Sequence, residues 1–257
     1  MKKLFLFFSL FTIRFSLFAQ KDSGFMNKAE AQNLIVNNYR EGKWILYTDK
    51  QNKLTDDTSQ AISYTLINFN PSHKPAGTVY SFYKNDKLSV RLPYVNGMKN
   101  GTEQVYSETG KLAEEKPWTD GELNGVVKRY WENGYTKEET LYTNGKENGT
   151  AKTYYKTGKL ETEDMYTDGQ KNGFSRAWYE NGHMQIEEPY TNGIKVGVVK
   201  YYYEDGKLQS ETPYVDGKMN GLDRSYYEDG KLKSESENKN GLFGVEKDFD
   251  ENGNRTN

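Results

Sequence analysis

The sequence offers few residues that could carry out catalysis or hold a metal ion. Cysteine is absent and histidine occurs only at His73 and His183, so the chain has no thiol nucleophile, no disulfide and no clustered set of metal ligands. It contains neither a phosphate-binding Gly-Lys-Ser/Thr loop nor a Gly-x-Ser-x-Gly nucleophile turn. Turn formation explains the Asp-Gly and Asn-Gly pairs better than calcium binding does. We therefore expect no catalytic residue, no metal site, no cofactor and no enzymatic activity.

A row of glutamates repeats every 24 residues and could in principle provide acid–base chemistry. Neighbouring members such as Glu163 and Glu187 would lie about 9.5 Å apart, on strands two positions removed, within the range that glycosidases use. Every repeat offers the same pair, however, whereas catalysis needs one pair whose two pKa values differ. We expect instead a solvated row that pairs with lysines. The row comprises Glu115, Glu139, Glu163, Glu187, Glu211 and Glu235.

Pairs of adjacent aromatic residues recur with the same period. The first member of each pair is predicted to face the core and to stack on its equivalents in the neighbouring repeats. This core column comprises Phe82, Tyr106, Tyr130, Tyr154, Trp178, Tyr202, Tyr226 and Phe249. Strand alternation is expected to bring a further column to the same face, namely Tyr94, Trp118, Tyr142, Tyr166, Tyr190 and Tyr214.

The second member of each aromatic pair is predicted to lie on the opposite, solvated face, together with lysine stems and the glutamate row. Exposed rings can bind another molecule, and the predicted binding residues are Trp131, Tyr155, Tyr179, Tyr203 and Tyr227. A basic column precedes each core aromatic by two residues, and its stems are expected to cover rings while its charged heads reach a glutamate or the rim. The alternative is a basic strip for an acidic partner or an anionic glycan. The basic column comprises Lys128, Lys152, Arg176, Lys200, Arg224 and Lys247.

Glycine spacing indicates the elements that must position these columns. Each unit holds two short runs between glycine turns, which predicts two antiparallel strands per repeat. A three-residue loop is predicted at residues 132–134. A two-residue turn would force the residue before the glycine to positive φ, which is unfavourable for Thr157 in the next repeat. The three-residue loop places Trp131 opposite Tyr135. The chain is thus predicted to be all-β, an elongated antiparallel β-meander of tandem 24-residue hairpin repeats. Three glycine series carry the period, represented by Gly134 and Gly158, Gly145 and Gly169, and Gly149 and Gly173.

The recurring Tyr-x-x-Gly-x-x-x-Gly run, as in Tyr142 to Gly149 and Tyr214 to Gly221, is followed by a paired-aromatic strand and a Glu-Asp-Gly-Lys-Leu type turn. This pattern resembles the bacterial MORN-repeat variant found in YwqK-family antitoxin-like proteins. The resemblance covers about residues 78–253. It implies an elongated, curved antiparallel sheet that acts as a protein-interaction scaffold, with an antitoxin-like or immunity-like role.

The N-terminal sequence predicts export. Residues 1–19 have two lysines, an apolar stretch and a small residue, Ala19, at the expected cleavage point of a signal peptide. Cleavage removes Lys2, Lys3 and Arg14 and leaves 32 basic against 37 acidic residues, a formal charge of −5. This charge argues against nucleic-acid binding, and we expect no stable membrane insertion after cleavage.

We divide the chain into three parts: residues 1–19 as signal peptide, 20–77 as an N-terminal capping region with a degenerate repeat, and 78–257 as the repeat domain. Asn27 and Glu30 form a potential capping box that favours a short helix over the first sheet edge. With 34% hydrophobic and 14% aromatic residues, the chain is short of aliphatic core material for a large enzyme. We expect a periplasmic or secreted scaffold that binds another protein; the alternative is a carbohydrate or cell-envelope polymer.

Overall fold

A computed structural model describes residues 25–257, which form one antiparallel β-sheet of 23 strands. The predicted all-β meander is thus confirmed. The predicted signal peptide, residues 1–19, lies outside the described residues. Among residues 25–257 no helix is long and apolar enough to cross a membrane.

The chain ahead of the repeats supplies the first strands of the sheet. These elements are the 3-10 helix η1 (Lys28–Glu30), β1 (Leu34–Val36), β2 (Tyr39–Thr48), β3 (Leu54–Thr55) and β4 (Ser63–Phe69). One edge of β2 pairs with β4, and the opposite edge pairs with β1 and β3. The sheet therefore begins at β1 and grows in one direction from there.

The repeats add strands in chain order, and each strand pairs antiparallel with its neighbours in sequence. Short strands such as β7 and β8 are two halves of one strand, since both pair with β6. The strands are β5 (Gly77–Tyr83), β6 (Leu88–Val95), β7 (Met98–Lys99), β8 (Gly101–Tyr106), β9 (Leu112–Thr119), β10 (Glu122–Leu123), β11 (Gly125–Tyr130), β12 (Thr136–Thr143), β13 (Lys146–Tyr154), β14 (Leu160–Thr167), β15 (Gln170–Trp178), β16 (Met184–Thr191), β17 (Ile194–Lys195), β18 (Gly197–Tyr202), β19 (Leu208–Val215), β20 (Lys218–Met219), β21 (Gly221–Tyr226), β22 (Leu232–Asn238) and β23 (Glu246–Asp248).

Three-residue loops close the hairpins along one margin of the sheet, which we call the loop margin. In the loop at 132–134, Gly134 has a φ of +89° and its N–H donates to the carbonyl of Trp131, while Trp131 N–H donates to the carbonyl of Tyr135. The predicted register is confirmed, with Tyr130 paired to Thr136. The left-handed conformation explains why glycine ends most of these loops; Asp86, at a φ of +62°, takes its place in the loop at 84–86.

Two-residue turns connect successive hairpins along the opposite margin, which we call the turn margin. Asn144 and Gly145 both have positive φ, +50° and +77°, as a type I′ turn requires. The N–H of Gly145 also donates to the carbonyl of Leu123 in the preceding repeat, at 2.9 Å. Each turn therefore also fixes the spacing to the repeat before it.

A bulge beside every three-residue loop changes which side chains share a face. Thr153 pairs with Thr162 and Tyr154 with Leu160, so Glu161 is an extra residue in its strand. A bulge reverses the alternation of the residues beyond it. The bulged residues are Ser89, Ala113, Lys137, Glu161, Gln185, Gln209 and Lys233.

Two predictions about the faces are wrong because of these bulges. The glutamate row lies on the face of the Tyr130 column, since Lys128 is paired directly with Glu139. The column that contains Tyr142 and Tyr190 lies on the other face. We call the first face the Tyr130 face, defined by Lys128, Tyr130 and Glu139 and their equivalents, and the second the Trp131 face, which carries Trp131 and Tyr142 and their equivalents.

The expected stacking of rings from repeat to repeat is also wrong. Among the described residues, stacked or tilted ring pairs occur only in the N-terminal part, where the rings of Tyr64 and Phe82 lie 4.9 Å apart. Equivalent residues in adjacent repeats are two strand spacings apart, about 9.6 Å, which exceeds the 4.5–7 Å typical of ring contacts. The intervening strand separates the rings.

Beyond the first repeat, the most buried side chains lie on the Trp131 face rather than on the predicted core face. Val127 and its paired Thr140 are 6% and 3% exposed, and Val199 is fully buried. From Tyr106 onward the Tyr130 column is only half-buried. A sheet of one layer thus has no face that is wholly a core.

The N-terminal segment covers the Tyr130 face at the first strands. Phe25 is fully buried among Tyr64, Leu66, Tyr80 and Phe82. Asn27 caps η1 by accepting from the Ala29 N–H, so the predicted short helix exists as a 3-10 turn. It packs against a face of the sheet, not against its edge.

Candidate functional site

The five predicted binding residues lie on the Trp131 face, where their polar tips join neighbouring repeats. Each side chain donates a hydrogen bond to the backbone carbonyl of the first aromatic residue in the next repeat, and each ring is half-buried. The bonds run from Trp131 Nε1 to Tyr154 O (3.0 Å), Tyr155 Oη to Trp178 O (2.7 Å), Tyr179 Oη to Tyr202 O (2.8 Å), Tyr203 Oη to Tyr226 O (2.7 Å) and Tyr227 Oη to Phe249 O (2.8 Å).

The loop margin carries a second set of bonds between repeats. Lys159 Nζ donates to the carbonyl of Glu180 at 2.8 Å, and Lys207 Nζ to that of Glu228 at 2.7 Å. His183 occupies the equivalent position, and its Nδ1 lies 2.6 Å from the carbonyl of Glu204. The histidine therefore takes the place of a structural lysine.

Ion pairs occupy the middle of the Tyr130 face. Five members of the basic column form ion pairs with the glutamate row, which agrees with the expectation that the charged heads reach glutamates. The N···O distances are 2.9 Å for Lys128 and Glu139, 3.2 Å for Lys152 and Glu163, 2.8 Å for Arg176 and Glu187, 3.5 Å for Arg224 and Glu211, and 2.9 Å for Lys247 and Glu235.

The tyrosines of this face extend the same network. Tyr130 Oη donates to Glu115 at 2.7 Å and Tyr154 Oη to Glu139 at 3.1 Å. Burial, together with these hydrogen bonds, raises the pKa of Tyr130 and of Tyr154 to about 12. The hydrogen bond from Lys128, aided by that from Tyr154, lowers the pKa of Glu139. The carboxylate of Glu139 is thus held ionised, as an acceptor within the network of the sheet.

An apolar band runs along the Tyr130 face beside these ion pairs, near the turn margin. Its members lie on eight successive strand positions and pair across the strands, which gives a length of about 34 Å. Val126, Met165, Phe174 and Val198 remain 38–41% exposed. The apolar band comprises Val126, Leu141, Met165, Phe174, Pro189, Val198 and Pro213, interrupted by Thr150.

The third glycine series allows the strands to approach each other beside this band. Gly149 has a φ of +118°, and a Cβ there would lie 2.6 Å from Cδ2 of Leu141. Gly173 and Met165 repeat the arrangement. The sequence analysis missed the band, although an apolar residue directly follows four glycines of this series, Gly125, Gly173, Gly197 and Gly221, and would have indicated it.

The Trp131 face carries lysines held between rings and carboxylates. Lys195 Nζ lies 2.6 Å from Glu188 and 5.1 Å from the ring centre of Tyr214. Lys171 pairs with Asp164 at 2.8 Å and lies over the ring of Tyr190. The charges of this face are thus satisfied within the sheet.

Within residues 25–257 there is no group of three or more histidine, aspartate or glutamate side chains that could hold a metal ion. His73 stacks on Tyr39, with ring centres 4.5 Å apart, and His183 lies far along the chain at the loop margin. Neither histidine is near the other, so neither forms part of a shared site.

Comparison with known protein families identifies the family of the repeats. Seven consecutive segments match the MORN repeat variant; all seven end at a two-residue turn, and the last six also begin just after one. The matched residues are 76–96, 99–120, 123–145, 147–168, 171–192, 195–216 and 219–240. Together they cover more than half of the chain. A search of curated proteins finds no match.

Proposed function

Because the chain belongs to the MORN repeat variant family, whose repeats are generally modules for interaction with proteins or membranes, we propose that it is an exported, non-catalytic scaffold that binds another protein. The finer part of the proposal is an antitoxin-like or immunity-like role, which rests on the resemblance to YwqK-family proteins. Export rests on the signal-peptide pattern of residues 1–19.

The exposed apolar band carries this proposal. Soluble proteins seldom leave a large apolar patch facing water unless it meets another molecule. The ion pairs beside the band are satisfied within the sheet, as for Arg176 and Glu187, so the partner need not supply charges. We propose that the partner presents an apolar strip of similar length.

The N-terminal segment gives a precedent on the same face. Phe25 buries its ring completely against Tyr80 and Phe82, which occupy the positions of Lys128 and Tyr130 two repeats earlier. Lys28 adds an ion pair with Asp86. A chain segment can therefore pack on this face, and beyond these strands no other described segment covers it.

The binding role predicted for Trp131 and its four equivalents stays a prediction. Their polar tips are occupied by carbonyls of the next repeat, as for Tyr179 and Tyr202, which leaves mainly ring edges and faces for a ligand. The Tyr130 face is the better candidate because its apolar side chains have no such partners.

Two residues provide a matched test. Phe174 on the apolar band and Tyr201 on the Trp131 face are both 39% exposed. Wild type, Phe174→Asp and Tyr201→Asp are immobilised and incubated with envelope and secreted fractions of the native organism, and circular dichroism verifies folding. We expect one partner protein that is retained by wild type and by Tyr201→Asp and lost by Phe174→Asp.

A glycan array run in parallel separates the carbohydrate alternative. Binding to a glycan without any retained protein would contradict the proposed function and favour the alternative. Loss of the partner with Tyr201→Asp but not with Phe174→Asp would move the binding surface to the Trp131 face.

A further inference from the structure

The first strand of the sheet has a neighbour on only one side. Among the described residues β1 pairs with β2 alone, and Leu34 and Ile35 are 49% and 55% exposed. β1 consists entirely of apolar residues, whereas sheets usually protect an edge with charge, proline or a covering segment. The open side of β1 is therefore suited to pairing with another strand.

The last strand is open in the same way. Among the described strands β23 pairs with β22 alone, and the segment leading into it exposes Leu242, Phe243 and Val245 by 75%, 80% and 82%. Phe243 stands 48 residues after Lys195, over which the ring of Tyr214 lies from the following strand. Among residues 25–257 no further strand lies beside Phe243 to cover it in the same way.

The two open segments lie at the same margin of the sheet. β1 ends at a two-residue turn formed by Asn37 and Asn38, and residues 242–245 begin directly after the two-residue turn at Asn240 and Gly241. β1 runs towards the turn margin, whereas residues 242–248 run away from it. A β1 strand placed against residues 242–247 would thus be antiparallel and would continue the alternation of the sheet.

At each end of the sheet, the half of the edge nearest the loop margin is already paired with another segment of the chain. Near the loop margin β3 pairs with the outer side of β2, at Tyr47 and Thr48. At the opposite end the N–H of Thr256 donates to the carbonyl of Asp248, so the C-terminal residues occupy the corresponding part of β23. Both ends leave open only the half nearest the turn margin. β1 is apolar throughout, and the segment 242–247 is apolar over its first four residues, which lie nearest that margin.

We propose that copies of this chain associate head to tail, with β1 of one copy adding as an antiparallel strand to residues 242–247 of the next. The occupant is a second copy because the chain itself holds both surfaces, matched in margin, direction and polarity. Such a contact joins two different surfaces, so each dimer retains one free surface of each kind and can grow into longer chains.

Sedimentation velocity of the chain, purified as the cell processes it, tests the proposal. We expect the average mass of wild type to rise above that of a dimer as concentration increases. Ile35→Lys and Phe243→Lys each remove one surface and are expected to be monomeric alone. Mixed in equal amounts, they retain one intact pair of surfaces and should form dimers and nothing larger.

Ile194→Lys is the matched control. Ile194 is apolar, 49% exposed and next to a two-residue turn, but it lies in the middle of the sheet, so its replacement should leave assembly unchanged. A wild type that stays monomeric up to its solubility limit would overturn the proposal. So would a mixture of the two end variants that stays monomeric, or an equal loss of assembly with Ile194→Lys.

Discussion

The phenol bonds between repeats can be removed without removing their rings. Tyr155, Tyr179 and Tyr203 each donate to a carbonyl of the next repeat at 2.7–2.8 Å, and phenylalanine at each position keeps the half-buried ring. An intramolecular hydrogen bond contributes about 1 kcal/mol to the free energy of unfolding. We therefore expect each single variant to lose about that amount.

The three losses should add. The sites lie about 9.6 Å apart, have no common partner, and are far enough from each other for near-additivity. The triple variant is thus expected to lose about 3 kcal/mol of unfolding free energy. In a chain of this size each kcal/mol corresponds to a fall of about 2–4 °C in Tm, so Tm should fall by about 6–12 °C.

Urea unfolding followed by circular dichroism measures this loss. Tyr135→Phe is the control, because Tyr135 is 56% exposed and its replacement should change the free energy of unfolding by less than about 0.5 kcal/mol. A triple variant as stable as the control would refute the view that these side chains hold the repeats together. Loss of partner binding at unchanged stability would restore their predicted role as binding residues.

Three further predictions follow from local geometry. Gly149→Ala should destabilise more than Gly145→Ala in urea, because a Cβ at 149 meets a leucine side chain at 2.6 Å while one at 145 meets nothing within 4 Å; equal losses would contradict this. Phe25→Ala should cost about 3–5 kcal/mol and speed hydrogen exchange in β4 and β5, while the exposed Met26→Ala should do neither. The folded-state pKa of Tyr154 is raised to about 12, so the protonated phenol stabilises the fold fully below pH 10, and this contribution decreases towards pH 12. Tyr154→Phe should therefore make the free energy of unfolding depend less on pH between 10 and 12. An unchanged pH dependence in the variant would contradict the assignment of this effect to Tyr154.

The hairpin register could be predicted from sequence because backbone stereochemistry restricts the turns. A threonine before glycine, as at Thr157, excludes positive φ at that position and selects the three-residue loop. The structure has this loop, with Gly158 at a φ of +85°. Glycine spacing alone then determines the strand count of each repeat.

The assignment of side chains to faces failed because the bulges leave no clear signal in the sequence. The extra residue is Lys137 in one repeat and Ala113 in another, and neither type indicates a bulge. The sequence contained another indication of the faces. Basic and acidic columns that repeat with the same period are most stable when they pair on one face, as Lys128 and Glu139 do. Weighing that complementarity would have placed both columns on one face.

The candidate binding surface was missed for a related reason. Aromatic residues drew attention to Trp131 and its equivalents, but tyrosine and tryptophan can satisfy their own polar atoms within a sheet. The aliphatic and proline side chains beside the third glycine series have no polar atoms to pair. Exposed residues such as Val198 therefore give the stronger indication of a partner.

Photo-cross-linking in living cells tests the central proposal most directly. A benzophenone amino acid replaces Phe174 on the apolar band in one strain and Tyr201 on the Trp131 face in another, two positions of equal exposure. We predict a covalent adduct with one partner protein at position 174 and none at position 201. An adduct at 201 alone, or none at either position, would contradict the proposal that the Tyr130 face binds the partner.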